Sequence, residues 1–465
     1  MTNLDVFFNP KTVAIIGASD TPKFGFGTTR YLLNSKFKTY PVHIYKERIF
    51  GQKAYKNIND IPEEIDLAII LVPNDKVLDA VKDCITKKVK GIIIESAGFA
   101  ETNIKEYVEI QKQIEKLAQD HDIRILGPNC VGVINFVNKF TSTEVEFPET
   151  ENVGNISIIA QSGVLGNVFV EWGLSQNIRF AKSITMGNKV DIDEVDLLEY
   201  LQNDKDTKVI TLYLEGVKRG KEFLEVLKKM TKPIIVVKNG TSEIGIKAIQ
   251  SHTGSIAGND IIYDAVFKQY KCIFRVNDFY EMLNIATVFS TQPLSKGKNI
   301  AIITGSGSLG ILACDKIIEE GLNVAKLHEN TISKMREVAP NWVSLKNPVD
   351  LGPSQFITLE PALNALYSDP NVDSILFIFT IPKQPLVDFG FPIKKIFRLI
   401  QKLVEQFQKP CIIVCFGSRW LFEFISKQAS KYNLPVIPSI KDAVKAFRMM
   451  YEFNTYLTSI NRVNI

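Results

Sequence analysis

Residues 156–166 read ISIIAQSGVLG, an apolar β-branched run that ends in a turn of small residues and opens into a helical stretch. The same plan occurs twice more, as VAIIGASD from Val13 and IAIITGSGSLG from Ile300. Val13, Ile156 and Ile300 lie 143 and 144 residues apart. A strand–turn–helix start recurring at that interval predicts an α/β chain of three consecutive Rossmann-like or flavodoxin-like domains, each built on a parallel sheet. The length of 465 residues agrees, at roughly 150 residues per domain.

Between these starts the alternation continues. The first third carries TVAIIG (12–17), PVHIY (41–45), IDLAIILV (65–72), GIIIES (91–96) and IRILG (123–127), with a helical stretch from Asn74 to Lys88. Near-continuous Ile, Val and Leu runs of this kind suit strands covered on both faces. FAKSITMG, TKVITLYLEG and KPIIVVKNG repeat the alternation in the second third, and VDSILFIFT and KPCIIVCFG in the last. Periodicity lapses, and Pro, Gly, Ser and Thr gather, at 138–155 and 290–299. The expected domains are therefore 1–137, 150–290 and 298–465.

Composition excludes several classes of function. Apolar residues make up 45% and charged residues 23%, as in soluble globular proteins. Fifty-five Lys and Arg against 51 Asp and Glu, with no polybasic block, do not indicate a nucleic-acid surface. No apolar run reaches the roughly 20 residues that span a bilayer, and the N-terminus has no charged stretch leading into an apolar one, so a cytoplasmic protein is expected. The six cysteines are scattered, Cys411 and Cys415 sitting inside the strand-like CIIVCF. With only four histidines, none near another or near a cysteine, no metal site is expected.

Several segments carry chemistry. In GASDTPKFGFG (17–27) the glycines admit a ligand close to the backbone, and the following helix offers free N–H groups to a phosphate. The spacing is not G-x-G-x-x-G, and Lys46 and Arg48 stand where an acid would hold a ribose hydroxyl, an arrangement suited to a phosphorylated ribose. An ordinary βα turn is the competing reading. QSGVLG (161–166) could cradle a phosphoryl group on the N–H groups of Ser162 and Gly163, or be a structural turn. His252 lies in a loop of small residues, IQSHTGSIAGND (249–260), where a neutral imidazole is a competent phosphoryl acceptor if a carboxylate fixes its tautomer. Glu215, closing the run VITLYLEG, fits that role, although a lone loop histidine is more often structural or merely exposed, and spacing alone does not overturn that. Asp191, Asp193, Glu194 and Asp196 read as helix capping in preference to a Mg²⁺ site. Cys130 in GPNCVG reads as a small buried residue near a ligand in preference to a nucleophile.

Taken together, VAIIGAS, VPN (72–74), ESAGFAE (95–101), GPNCVGVIN (127–135), AQSGVLG, MGNKVDIDEVDLLEYL (186–201), LYLEGVKRG (212–220), SHTGSIAG (251–258) and NPVDL (347–351) resemble the α subunit of the ADP-forming acyl-CoA synthetases, relatives of succinyl-CoA synthetase. The resemblance covers essentially the whole chain. It implies a first domain that binds coenzyme A, a second that carries a phosphorylated histidine, and a third of ligase-CoA type. It implies a reversible cycle: acyl-CoA and phosphate give a bound acyl phosphate, the phosphoryl group passes to His252, and from there to ADP. Glu215 matches the orienting carboxylate, and Ser162 with Gly163 the phosphate-holding helix start. For coenzyme A the matching positions are Gly17, Ala18, Ser19, Lys23 and Gly25, then Lys46, Val72 and Pro73, then Gly98 and Phe99.

Two departures stand out. Family members often carry Asn-Pro-Lys after the second strand, where this chain has Tyr45-Lys46, and a Gly-Gly-rich turn where it has GSGSLG (305–310). No segment of the nucleotide-binding ATP-grasp kind follows the third unit, so ADP or ATP with Mg²⁺ is expected on a separate ATP-grasp β subunit, in an αβ or α₂β₂ assembly. The acyl group is not readable. Competing readings are a coenzyme A-binding regulatory or acyl-transfer module without ligase chemistry, a nucleotide-dependent oxidoreductase, and a structural subunit.

Overall fold

A computed structural model describes residues 4–144, 147, 153–246 and 259–463. After a short helix α1 (Asp5–Phe8) come β1 (Thr12–Ile16), helix α2 (Phe26–Leu33), β2 (Lys38–Val42) and a small antiparallel ribbon of β3 (Arg48–Ile49) and β4 (Gln52–Lys53). Then follow β5 (Leu67–Ile70), α3 (Asn74–Lys87), β6 (Gly91–Ile94), α4 (Lys105–His121) and β7 (Arg124–Leu126). Five of these strands make a parallel sheet in the order β2-β1-β5-β6-β7. Every residue of β5 and β6 is buried, which is why LAII and GIII show no polar alternation. Helix α3 turns Val77, Ala80, Val81 and Cys84 to the sheet at helical spacing and ends at Lys88 in the left-handed conformation.

The second sheet holds seven strands: β8 (Val133–Asn135), β9 (Phe140–Thr141), β10 (Ile156–Ala160), β11 (Phe180–Thr185), β12 (Val209–Leu214), β13 (Ile234–Lys238) and β14 (Ile273–Val276). Their order is β14-β13-β12-β10-β11-β8-β9, with β10 to β14 parallel and the β8–β9 hairpin added antiparallel at the edge. Helix α5 (Gly163–Ser175) follows β10, and α6 (Glu194–Asn203) follows β11. Strand β8 falls inside the expected first domain, 1–137, and β9 in the stretch where periodicity lapses, so the second sheet already takes strands from residue 133 onward.

The third sheet is parallel throughout, with β15 (Asn299–Thr304), β16 (Asn323–Val324), β17 (Val349–Asp350), β18 (Ser374–Phe379), β19 (Cys411–Cys415) and β20 (Val436–Ile437). Its path is β16-β15-β18-β19-β20, with β17 also on β15. Cys411 and Cys415 are buried in β19. The architecture is the α/β one expected from the three repeated starts.

By contact the chain divides into two compact units, Met1–Ser175 with Arg179–Asn277, and Gln176–Ile178 with Asp278–Ile465. The first unit holds two sheets because residues 188–192 are laced to the end of the first one. Asn188 N–H donates to Pro128 O at 2.9 Å, Val190 N–H to Gly127 O at 3.1 Å and Ile192 N–H to Ile125 O at 3.1 Å. The Val190 side chain packs into the first sheet's core, and Arg124 pairs with Asp191 at 2.9 Å and Asp196 at 3.1 Å. Among the described residues no helix is long and apolar enough to cross a membrane.

Candidate functional site

In the first sheet the chain leaves β1 toward β2 on one side and returns to β5 on the other, which opens a crevice at the carboxyl ends of the strands. A cavity of about 850 Å³ lies there. Of the residues expected to hold coenzyme A, Gly17, Lys23, Val72 and Pro73 line it. Gly17 has φ +91°, and a Cβ at that position would come within 2.9 Å of Leu71 O and Val72 Cγ1. Only glycine lets the β1 and β5 turns approach so closely. The Lys23 ammonium is exposed and makes no ion pair among the described residues.

The other expected residues support this turn from outside the cavity wall. Ala18 is buried and its N–H donates to Val42 O at 3.3 Å. Ser19 Oγ–H donates to Thr21 O at 2.9 Å, and Gly25, at φ +82°, starts helix α2. The Lys46 ammonium pairs with Asp20. Gly98 offers its carbonyl to Asn74 Nδ2 at 2.7 Å, and Phe99 is wholly buried in the core.

Sequence reasoning passed over several wall residues. His43 Nδ1 accepts the N–H groups of Tyr45 and Lys46, each at 3.1 Å, so the turn after β2 is wound around the imidazole. Burial pushes the His43 pKa down, with Lys23 and Lys46 adding to the effect and Asp20 opposing it. Lys56, Lys76 and Glu95 also line the cavity. Only the spatial order of strands brings the turn after β2 beside those after β1 and β5.

The second sheet repeats the device, since β10 sends the chain to β11 on one side and to β12 on the other. Gln161, closing β10, accepts through Oε1 the N–H of Glu215 at 2.9 Å and of Gly216 at 3.2 Å. This one side chain holds the Ser162–Gly163 helix start beside Glu215, which is buried. Lys189, itself buried, donates to Gly216 O at 2.7 Å and to Glu194 Oε2 at 2.9 Å. Tyr263 Oη accepts the Val217 N–H at 2.9 Å, and the Lys238 ammonium, at the end of β13, lies 4.6 Å from the Tyr263 ring centre. Burial lowers the Lys238 pKa to about 8. His252 and its flanking loop lie outside the described residues.

The comparisons with known proteins fall on these two sites. Residues 11–135 match a family described as CoA binding domain, and residues 153–289 one described as succinyl-CoA ligase like flavodoxin domain. The chain is 42% identical to the ADP-forming acetate–CoA ligase II subunit alpha of Pyrococcus furiosus, over 82% of this chain and 83% of that one. With that organism's ADP-forming acetate–CoA ligase I subunit alpha the identity is 35%, over 98% of both. The chain belongs to the family of ADP-forming acetate–CoA ligase α subunits. It spans 48% and 65% of two longer ADP-forming acetate–CoA ligases, from Methanocaldococcus jannaschii and Archaeoglobus fulgidus. A solved dinucleotide-forming acetyl-coenzyme A synthetase 1 from Ca. Korarchaeum cryptofilum, in complex with phosphate and ADP, superposes with TM-score 0.88 at 28% identity, over 100% of this chain and 99% of that one.

Two further motifs of this ligase α subunit have structural roles. Asp193 caps α6 by accepting the Val195 N–H at 2.8 Å, while Asp196 accepts the Asp193 N–H at 3.2 Å. Both acids also pair with Arg219, and Asp191 accepts Arg124 Nε–H and the Ile125 N–H. The Cys130 thiol is buried and donates to Ile94 O at 3.3 Å, and burial pushes its pKa up, the opposite of what a nucleophile needs.

Proposed function

We propose that this chain is the α subunit of an ADP-forming acyl-CoA synthetase that interconverts acyl-CoA, phosphate and ADP with free acid, ATP and coenzyme A. The observation that carries the reading is the crevice at the carboxyl ends of β1, β2, β5 and β6, where Gly17, Lys23, Val72 and Pro73 meet. Coenzyme A lies there with its diphosphate on the turn after β1, its base toward His43 and Tyr45, and its pantetheine arm across β5 and β6. The free Lys23 ammonium and the start of α2 offset the diphosphate charge.

In the proposed cycle a phosphate oxygen attacks the thioester carbonyl, the C–S bond breaks, and coenzyme A leaves with a proton on sulfur. The acyl phosphate then gives its phosphoryl group to an imidazole nitrogen of His252, releasing the carboxylate, and the N–P bond is later cleaved by ADP. Ser162 and Gly163 present N–H groups to the phosphoryl oxygens, and Glu215 holds the other ring nitrogen of His252. A separate ATP-grasp β subunit supplies the nucleotide with Mg²⁺. Acetate is one candidate acid among short, branched, aryl and hydroxy acids.

Intact-mass spectrometry tests this. After incubation with its β subunit, phosphate and a panel of acyl-CoAs, the chain should gain one acid-labile phosphoryl group, and His252→Ala should gain none. Phosphorylation of the His252→Ala chain to the same extent would refute the assignment.

A further inference from the structure

The segment that follows β11 reaches both sites at once. Gly187 N–H donates to Gln161 O at 3.2 Å, and the next two side chains leave in opposite directions. Asn188, which is buried, donates through Nδ2 to Glu101 Oε2 at 2.6 Å and to Gln111 Oε1 at 2.8 Å. Those two acceptors hold the turn after β6. Glu101 accepts the N–H groups of Gly98 at 2.6 Å and Phe99 at 3.1 Å, and Gln111 accepts that of Ala100 at 3.2 Å. Lys189 faces the second sheet, where its ammonium donates to Gly216 O at 2.7 Å and Glu194 Oε2 at 2.9 Å. Lys189 has φ +57°, a left-handed conformation uncommon outside glycine. Gly187 has φ +60°, and a Cβ there would fall 2.2 Å from Pro128 O. Such backbone persists only where its surroundings hold it, and here it lets neighbouring side chains serve two different sheets.

We propose that Asn188 and Lys189 are positioning residues for acyl transfer: as one linkage they set the turn after β6 against the helix start at Ser162 and Gly163. The inference rests on the proposed reading of both sites. With the nucleotide on the turn after β1 and the pantetheine arm across β5 and β6, the turn after β6 is where the reactive end of coenzyme A arrives. Phosphate on Ser162 and Gly163 must come within about 3.5 Å of the thioester carbonyl carbon to attack it. The two turns belong to different sheets, so neither sheet alone fixes that distance. Asn188 fixes one turn through Glu101 and Gln111, and Lys189 fixes the other through Gly216, whose N–H Gln161 accepts. The bonds to Glu101 and from Lys189 are charge-assisted, which makes the linkage stiff.

The test reads two quantities on the full chain with its β subunit. One is the single-turnover rate of phosphoryl gain, followed by intact mass at saturating phosphate and the acyl-CoA of the panel that phosphorylates the wild type fastest. The other is coenzyme A affinity by titration calorimetry. Asn188→Ala should be phosphorylated about 100-fold more slowly, the loss expected from a misplacement of about 1 Å. Its coenzyme A affinity should stay within about threefold of the wild type, because the nucleotide is held elsewhere. Lys189→Met should show the same split. Since the two act as one linkage, the double variant should be no slower than the slower single one. An unchanged rate in either single variant would overturn the proposal. So would affinity that falls in step with the rate, which marks a merely structural place, or losses that multiply in the double variant, which mark two independent supports. A wild-type chain that gains no phosphoryl group from any acyl-CoA of the panel would instead overturn the reading of the two sites.

Discussion

Lys238 shows how a single residue type changes meaning with depth. From sequence it is one of many lysines closing an apolar run, but at the end of β13 it is buried, with a pKa lowered to about 8. Burial is the main cause; Asp260 and Glu215 oppose it and Arg275 reinforces it. The unfolded chain therefore holds a proton that the folded chain releases, from about pH 8 up to the ordinary value of 10.5. In that window the unfolded state binds more protons, so stability rises with pH. The unfolding free energy of the wild type relative to Lys238→Met should be flat below pH 8 and climb toward pH 10.5. Denaturant titrations of both at pH 7, 9 and 10.5 measure it, and a difference that stays level would show that the amine is solvated. Gly17 was legible as a turn glycine, but the reason no other residue fits, the Leu71 carbonyl across the crevice, belongs to another strand.

At the scale of elements, patterns local in sequence were read with the fewest errors. Helix α3 was expected over 74–88 and spans Asn74–Lys87, because its apolar spacing and its left-handed end are set within the helix itself. The second strand was expected at 41–45, whereas β2 is Lys38–Val42, since pairing with β1 puts Thr12 opposite Lys38 and Ile16 opposite Val42. Register is decided by the partner. The acids before α6 were legible as caps, and Asp193 with Asp196 forms the reciprocal pair. Replacing Asp193 by Ala should cost about 1–2 kcal/mol. The shift in urea midpoint measures this, and a change near zero would mean that Asp196 and Arg219 hold the helix start without it. Gln161 was not legible as a site residue, because its two acceptor contacts cross from the β10 turn to the β12 turn.

On the scale of the whole molecule, the first and second sheets share one unit through the segment 188–192 and the Arg124 ion pairs. Removing one partner of a mostly buried pair strands the other charges, so Arg124→Met should destabilise this unit by about 3 kcal/mol. Hydrogen exchange should show amides of both β6 and β10 losing protection together; loss confined to the first sheet would mean that the two sheets open independently. The sequence alone determined the fold class and the family, because strand–turn–helix starts and long motifs are contiguous and their periodicity follows from local geometry. It also marked the turns after β1, β5, β10 and β12. Only the tertiary structure decided which turns become neighbours, and so which side chains share a cavity. His43, Lys189 and Glu95 take their environment from strand order and from the helices and hairpins packed around it. Depth, partner charge and the lost access of water exist only once the sheets have closed.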